Sequence, residues 1–170
     1  MTIDIKDIVS PTGKTYVEEL ISSAEYLKKC LQDELDIWYA SHTPSNYYKR
    51  RKTNSLRTSI VDNISNINVD VLNLSINIEF DEMSIYHKSW FRNGYVNVLW
   101  LMNYGYSVKK DVWFKNYKYF GYRDGGEFIE KAIAKFNATN TLGFVVTPMF
   151  NGKPMDRNVY NRTNDMYMPS

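Results

Sequence analysis

The sequence predicts an α+β fold: a long N-terminal helix, a mostly antiparallel β-sheet of about four strands with a second helix packed on it, and an extended C-terminal tail. Three observations carry this prediction. Val17, Leu20, Ile21, Ala24, Leu27, Leu31, Leu35 and Trp38 recur at three- and four-residue spacing, the mark of one apolar helical stripe. Leu72, Leu74, Ile76, Ile78 and Phe80 alternate with Asn73, Ser75, Asn77 and Glu79, the period of a half-buried strand. Phe128, Ile129, Ala132, Ile133 and Phe136 form a second helical stripe. The 170 residues suit a single domain over 15–147, with an N-terminal arm over 1–14 and a tail over 148–170.

The arm is short and broken by Ser10, Pro11 and Gly13. The first helix starts at a capping box, with Thr15 as cap and Glu18 three residues on. It ends before Ser41-His42-Thr43-Pro44, because proline disfavours helix in the residue before it. Residues 45–58 form a polar, basic connection. Ile60, Ile64 and Ile67 have mixed spacing, which leaves strand, bulge and helix open. The strand ending at Phe80 gives way to a turn at Asp81-Glu82. Val96, Val98 and Trp100 alternate, as do Leu99 and Leu101, and read as a strand buried on both faces or one that meets another subunit, closed by Asn103-Tyr104-Gly105. Trp113, Phe114, Tyr117, Tyr119 and Phe120 stand in a loop among Lys109, Lys110, Lys115 and Lys118. Gly121 to Gly126 make a turn, and the second helix runs from about Glu127 to Asn137. Leu142 to Val146 offer a last strand.

Aromatic residues make up 15% of the chain, which suits a core with contact surfaces. No apolar run reaches the length of a membrane-spanning helix, and the N-terminus lacks the apolar run of a secretory signal. The single cysteine, Cys30, excludes an internal disulfide and a multi-cysteine zinc site. A net charge of +2 conceals a pattern. Residues 1–40 hold eight acids and four bases, and residues 41–123 hold twelve bases and six acids. Segregation of this kind orients subunits as they meet.

Candidate chemistry is sparse. Lys49, Arg50, Arg51 and Lys52, with Arg57, form the densest basic cluster. It fits non-specific contact with DNA phosphates, a solvated loop, or pairing with the acidic helix of a neighbouring copy. Trp113, Phe114, Tyr117 and Phe120, among the lysines, resemble a stacking platform for single strands, and read better as an exposed loop that docks on a partner. Phe150, Tyr160 and Tyr167 make the tail too apolar to be free in solvent, and it is expected to dock on a neighbouring subunit. Glu79, Asp81 and Glu82 near His87 lack the further carboxylates that two-metal hydrolysis needs. Cys30 has no histidine at useful spacing, and Gly125-Gly126 lacks the lysine of a phosphate loop. The residues therefore point to a non-enzymatic subunit, with no catalytic, cofactor or metal site.

One stretch carries a family resemblance. Tyr48-Lys49-Arg50-Arg51-Lys52-Thr53-Asn54-Ser55-Leu56-Arg57-Thr58-Ser59 resembles the Tyr-x-Arg-Thr-Gly-x-Leu-x-x-Ser motif of the tail-completion, or head–tail joining, proteins of long-tailed bacteriophages. Thr53, Leu56 and Ser59 match, Asn54 stands for the family's glycine, and Lys52 separates the arginine from the threonine. His87, Val96 to Tyr106 and Gly125 to Ala132 resemble the family's central strand, glycine turn and second-helix entry. The resemblance spans residues 15–146. It implies a structural virion protein in a homo-oligomeric, hexameric ring, made in the host cytoplasm, that joins the tail to the head connector around a DNA channel. It implies as partners a connector or head-completion protein and a tail tube or terminator protein, with non-specific contact to passing DNA. A tail terminator subunit of the same fold is the alternative within the resemblance, and a small nucleic-acid-binding protein the alternative outside it.

Overall fold

A computed structural model describes residues 8–41, 64–70, 72–80, 85–88, 95–108, 121–150, 152–158 and 167–168. The class is α+β, with a long N-terminal helix, antiparallel strand pairs and further helices. The contacts group the chain into two compact units. The first comprises Met1–Ser84 and Ile129–Val145, the second Ile85–Phe128 and Val146–Ser170. The sequence placed one domain over 15–147 and a tail after it. The tail's described part up to residue 158 instead folds into the second unit.

In the first unit, residues 8–15 fold back instead of extending as an arm. Ser10 and Lys14 close a turn, Gly13 takes φ 86°, and the Tyr16 N–H donates to the Ile8 carbonyl at 3.1 Å. Helix α1 (Tyr16–Ser41) follows, 26 residues and about 39 Å long. Its capping box forms: the Thr15 N–H donates to the Glu18 carboxylate at 2.9 Å, and the Glu18 N–H donates to the Thr15 hydroxyl at 3.2 Å. Its buried stripe is Leu20, Ala24, Leu27, Cys30, Leu31 and Leu35.

Strands β1 (Ile64–Asp70) and β2 (Ser75–Phe80) pair antiparallel with a bulge between Ser65 and Asn68. They pack on α1, with Ile76, Ile78 and Phe80 half-buried and Ser75, Asn77 and Glu79 outward. The alternation from Leu72 to Phe80 is therefore not one strand. A turn over 72–74 cuts it, because the Asp70 carboxylate accepts from the N–H groups of Leu72 and Asn73 and draws the chain around. Side-chain capping of this kind competes directly with ladder hydrogen bonds.

The rest of this unit is most of the final helix, α3 (Phe128–Asn137; α2 lies in the second unit). Phe136 meets Tyr26 at a ring separation of 6.3 Å, and Lys135 reaches Asp33 at 3.1 Å. The expected strand over 142–146 does not form. Asn140 takes both backbone groups of Phe144 with its side-chain amide, and Gly143 adopts φ 74°. Residues 141–142 form a turn and 143–148 join no ladder.

The second unit holds β3 (Tyr86–Lys88) and β4 (Tyr95–Asn97), which pair antiparallel, and β9 (Tyr167–Met168), which pairs with β4. Helix α2 (Val98–Tyr104) then replaces most of the doubly buried strand the sequence predicts over 96–102. Asn97 makes the switch: its side-chain oxygen accepts from the Trp100 N–H at 3.1 Å and caps the helix. Strands β5 (Gly105–Val108) and β6 (Gly121–Asp124) form a four-pair ladder, and β7 (Met149–Phe150) pairs with β8 (Lys153–Pro154). The predicted four-stranded sheet is divided, among the described residues, into four small sheets of two or three strands.

Leu35 is fully buried and Ile37 is 59% exposed, two residues apart on the same helix. Leu35→Ala is expected to cost about 2–5 kcal/mol, read as a lower urea midpoint with unchanged slope. Ile37→Ala should stay within about 0.5 kcal/mol.

Candidate functional site

The chemistry of the chain lies in what its elements hold out to solvent. Three places carry it.

The first is the β1–β2 turn. Besides the two backbone bonds, the Asp70 carboxylate accepts from the Asn73 side-chain amide at 2.7 Å. These bonds, the Asn73 amide foremost, hold the Asp70 carboxyl below its ordinary value of 3.8. The turn needs a positive φ at its last residue and has Leu74 there, at φ 47°, where asparagine or glycine is the usual choice. Leu72 projects from the tip, 85% exposed.

The second is the junction beneath the β5–β6 ladder. Gly105 ends α2 with φ 83° and donates its N–H to the Leu101 carbonyl. The N–H groups of Gly126 and Glu127 donate to the carbonyls of Met102 and Asn103 at 2.8 and 2.9 Å. Carbonyls that the helix end leaves without an intrahelical partner are thus satisfied. Gly125 passes so close to this end that a Cβ would overlap the backbone at Asn103, Tyr104 and Gly105. Glu127 takes φ 51° and pairs with Arg157 at 2.7 Å. Asn97 and Asn103 are fully buried beside Leu99, Trp100 and Tyr104.

The third is the outer end of β7. Phe150 is half-buried, its ring edge-on to Trp100 at 6.0 Å, and Trp100 stacks on Tyr104 at 5.5 Å. Phe150 thus spends its contact within the second unit. Met149 beside it is 50% exposed.

Of the residues singled out from sequence, Lys49, Arg50, Arg51, Lys52, Arg57, Trp113, Phe114, Tyr117, Phe120 and Tyr160 lie outside the described residues. Tyr167 stands in β9, paired with Val96. Glu79 belongs to the first unit and His87 to the second. Asp81 and Glu82 lie outside the described residues. Cys30 is buried in the α1 stripe. The residues that sequence reasoning missed are Asn97, Gly125 and Leu72. An asparagine just before an apolar run was the available signal for the first, and a glycine pair after a strand for the second.

Among the described residues no group of three His, Cys, Asp or Glu side chains is gathered to hold a metal ion. A shallow surface depression lined by Lys14, Glu18, Ile21 and Ser22 is open to solvent. No helix among the described residues is long and apolar enough to cross a membrane. Comparison of the whole chain with models of protein families, with curated proteins and with solved structures gave no match.

Two outcomes follow from this geometry. Gly125→Ala is expected to lose more than about 3 kcal/mol, because backbone on both sides must move; the loss is read by chemical denaturation. Glu18 is held below its ordinary value of 4.5, chiefly by the Thr15 N–H and then by the Thr15 hydroxyl. A lowered carboxylate stabilises the fold above its ordinary value, and that contribution disappears as pH falls through the lowered one. Glu18→Gln should therefore be less stable than wild type at about pH 6, and the gap should close below about pH 4.

Proposed function

We propose that this chain is a structural virion protein of a tailed bacteriophage, one subunit of a ring that joins the tail to the head connector and leaves a channel for DNA. The observation that carries the reading is the Tyr48–Ser59 stretch, set between a long helix and antiparallel strands as in the head–tail joining proteins it resembles.

The surfaces support the same reading. Leu72 projects from a turn fixed by Asp70, and a four-pair ladder carries a segment of alternating lysines and aromatics. Rim charges and projecting apolar groups suit repeated contacts between copies more than they suit a reaction. In this role Lys49, Arg50, Arg51 and Lys52 border the channel or bridge neighbours. Contact with passing DNA is then electrostatic and independent of sequence. The aromatic segment and the chain's end meet the adjacent connector or tube rings. The reading assigns no catalysis and no cofactor, and places the protein in the virion after synthesis in the host cytoplasm.

Electron-microscopy class averages of the purified chain, alone and mixed with phage connector and tail-tube subunits, test the proposal. The expected result is a closed ring with a central opening wide enough for duplex DNA. A chain that stays monomeric at high concentration, and binds neither connector nor tube subunits, overturns it.

A further inference from the structure

The last strand of the chain, β9, fills an edge of the second unit. There β4 is the middle strand of the order β3–β4–β9. On one side β3 forms three residue pairs with it. On the other side β9 forms two, Tyr95 with Met168 and Val96 with Tyr167. Without β9, that side of β4 is a row of open backbone groups, an edge that takes up a strand from any chain offering one. Among the described residues before β9, the chain is last anchored at Met155 and Arg157. The Met155 N–H donates to the Pro148 carbonyl at 2.8 Å, and Arg157 pairs with Glu127 at 2.7 Å. Residues 159–166 then lead to β9. Eight extended residues span about 28 Å, close to the width of a small domain. Met166-Tyr167-Met168 is the apolar run of the otherwise polar end 161–170, and Pro169, with no N–H to donate, follows it. Two backbone pairs after such a span do little to commit β9 to its own chain.

We infer that β9 is an exchanged strand: in the assembled protein, residues 167–168 of each copy pair with β4 of the next. The inference rests on the proposed role as a repeating subunit and sharpens it, assigning the last strand to the neighbouring copy of the same ring. The occupant of the β4 edge is a second copy's β9, because the pairing within the chain shows which segment that edge accepts and in which register. Every copy carries the same segment on the same span. The two pairs given up within a chain are regained between chains, and exchange of an identical element is a low-cost route to assembly. Main-chain hydrogen bonds supply the affinity when a strand is added to an open edge. Each copy gives one strand and receives one through a different surface. Such a contact is heterologous, the kind that closes into rings.

Paired cysteines in full-length chains test this. Directly opposed residues of antiparallel strands have Cα atoms about 4.5–5.5 Å apart, within the range that a disulfide bridges. One chain carries Val96→Cys, and a second, labelled with a heavy nitrogen isotope, carries Tyr167→Cys; the native Cys30 is buried in both. The two are mixed, assembled and oxidised. Mass spectrometry should find a 96–167 disulfide that joins a labelled peptide to an unlabelled one. A chain with both substitutions should run as covalent multimers on a non-reducing gel. A double variant that forms only the bond within its own chain, with none between the mixed chains, overturns the exchange and leaves the ring reading intact. A bond in neither sample overturns the pairing of β9 with β4, and the inference with it. A chain ending at Met166 should lose self-association in sedimentation velocity while keeping the wild-type melting curve. Rings that form equally well from this shortened chain overturn the exchange. A wild-type chain that never self-associates overturns the inference and the ring reading together.

Discussion

The second unit is organised around a close approach of backbone to backbone at Gly125. The end of β6 can lie against the last turn of α2 only because residue 125 has no side chain. That approach brings Gly126 and Glu127 within reach of the Met102 and Asn103 carbonyls, so one contact both closes the helix and fixes the chain that follows it. The β5–β6 ladder pairs Gly105 with Asp124, the residue just before this approach, so the ladder ends where the contact begins. Asn97 plays the matching part at the other end of α2: it closes the β3–β4 ladder opposite Tyr86 while its side-chain oxygen caps the helix.

What could be read from sequence divides along a physical line. The elements legible in advance are those whose signal is long and local. The α1 stripe repeats over seven turns with its capping box at the expected offset, and α3 presents an apolar stripe over ten residues. The elements misread are short and decided by one polar side chain. Leu72 to Phe80 alternates like a strand, but Asp70 can capture two backbone N–H groups and turn the chain. Val98 to Met102 is apolar on every side, and such a run does not distinguish strand from helix. Asn97 decides the matter. Leu142 to Val146 has strand composition, yet Asn140 occupies the Phe144 backbone that a ladder would need. In each case a side-chain oxygen outcompetes a backbone partner, and hydrophobic periodicity carries no trace of that contest.

The candidate surfaces were legible in a different way. Charge segregation is a property of composition, so the acidic first helix and the basic middle segment were visible before any fold was known. Their division between two compact units was not, because each unit is assembled from separated stretches of chain. Phe150, assigned from sequence to a neighbour, has a ring contact inside the chain as well, edge-on to Trp100. Leu72 was counted as an inward residue of a strand and instead stands out from a turn. Exposure, more than residue type, separates the two.

The chain crosses between its units after Ser84, after Phe128 and after Val145. This has a consequence for biosynthesis. The bridge from Asp33 to Lys135 spans 102 residues, and the sheet that holds Tyr95 is completed by Met168 near the very end. Neither unit can finish while the ribosome is still supplying the other: α1 can meet the β1–β2 hairpin early, but its contact with α3 waits for residues past 128. Contacts of such long sequence separation slow folding and prolong the exposure of apolar surface. No single proteolytic cut can release either unit whole.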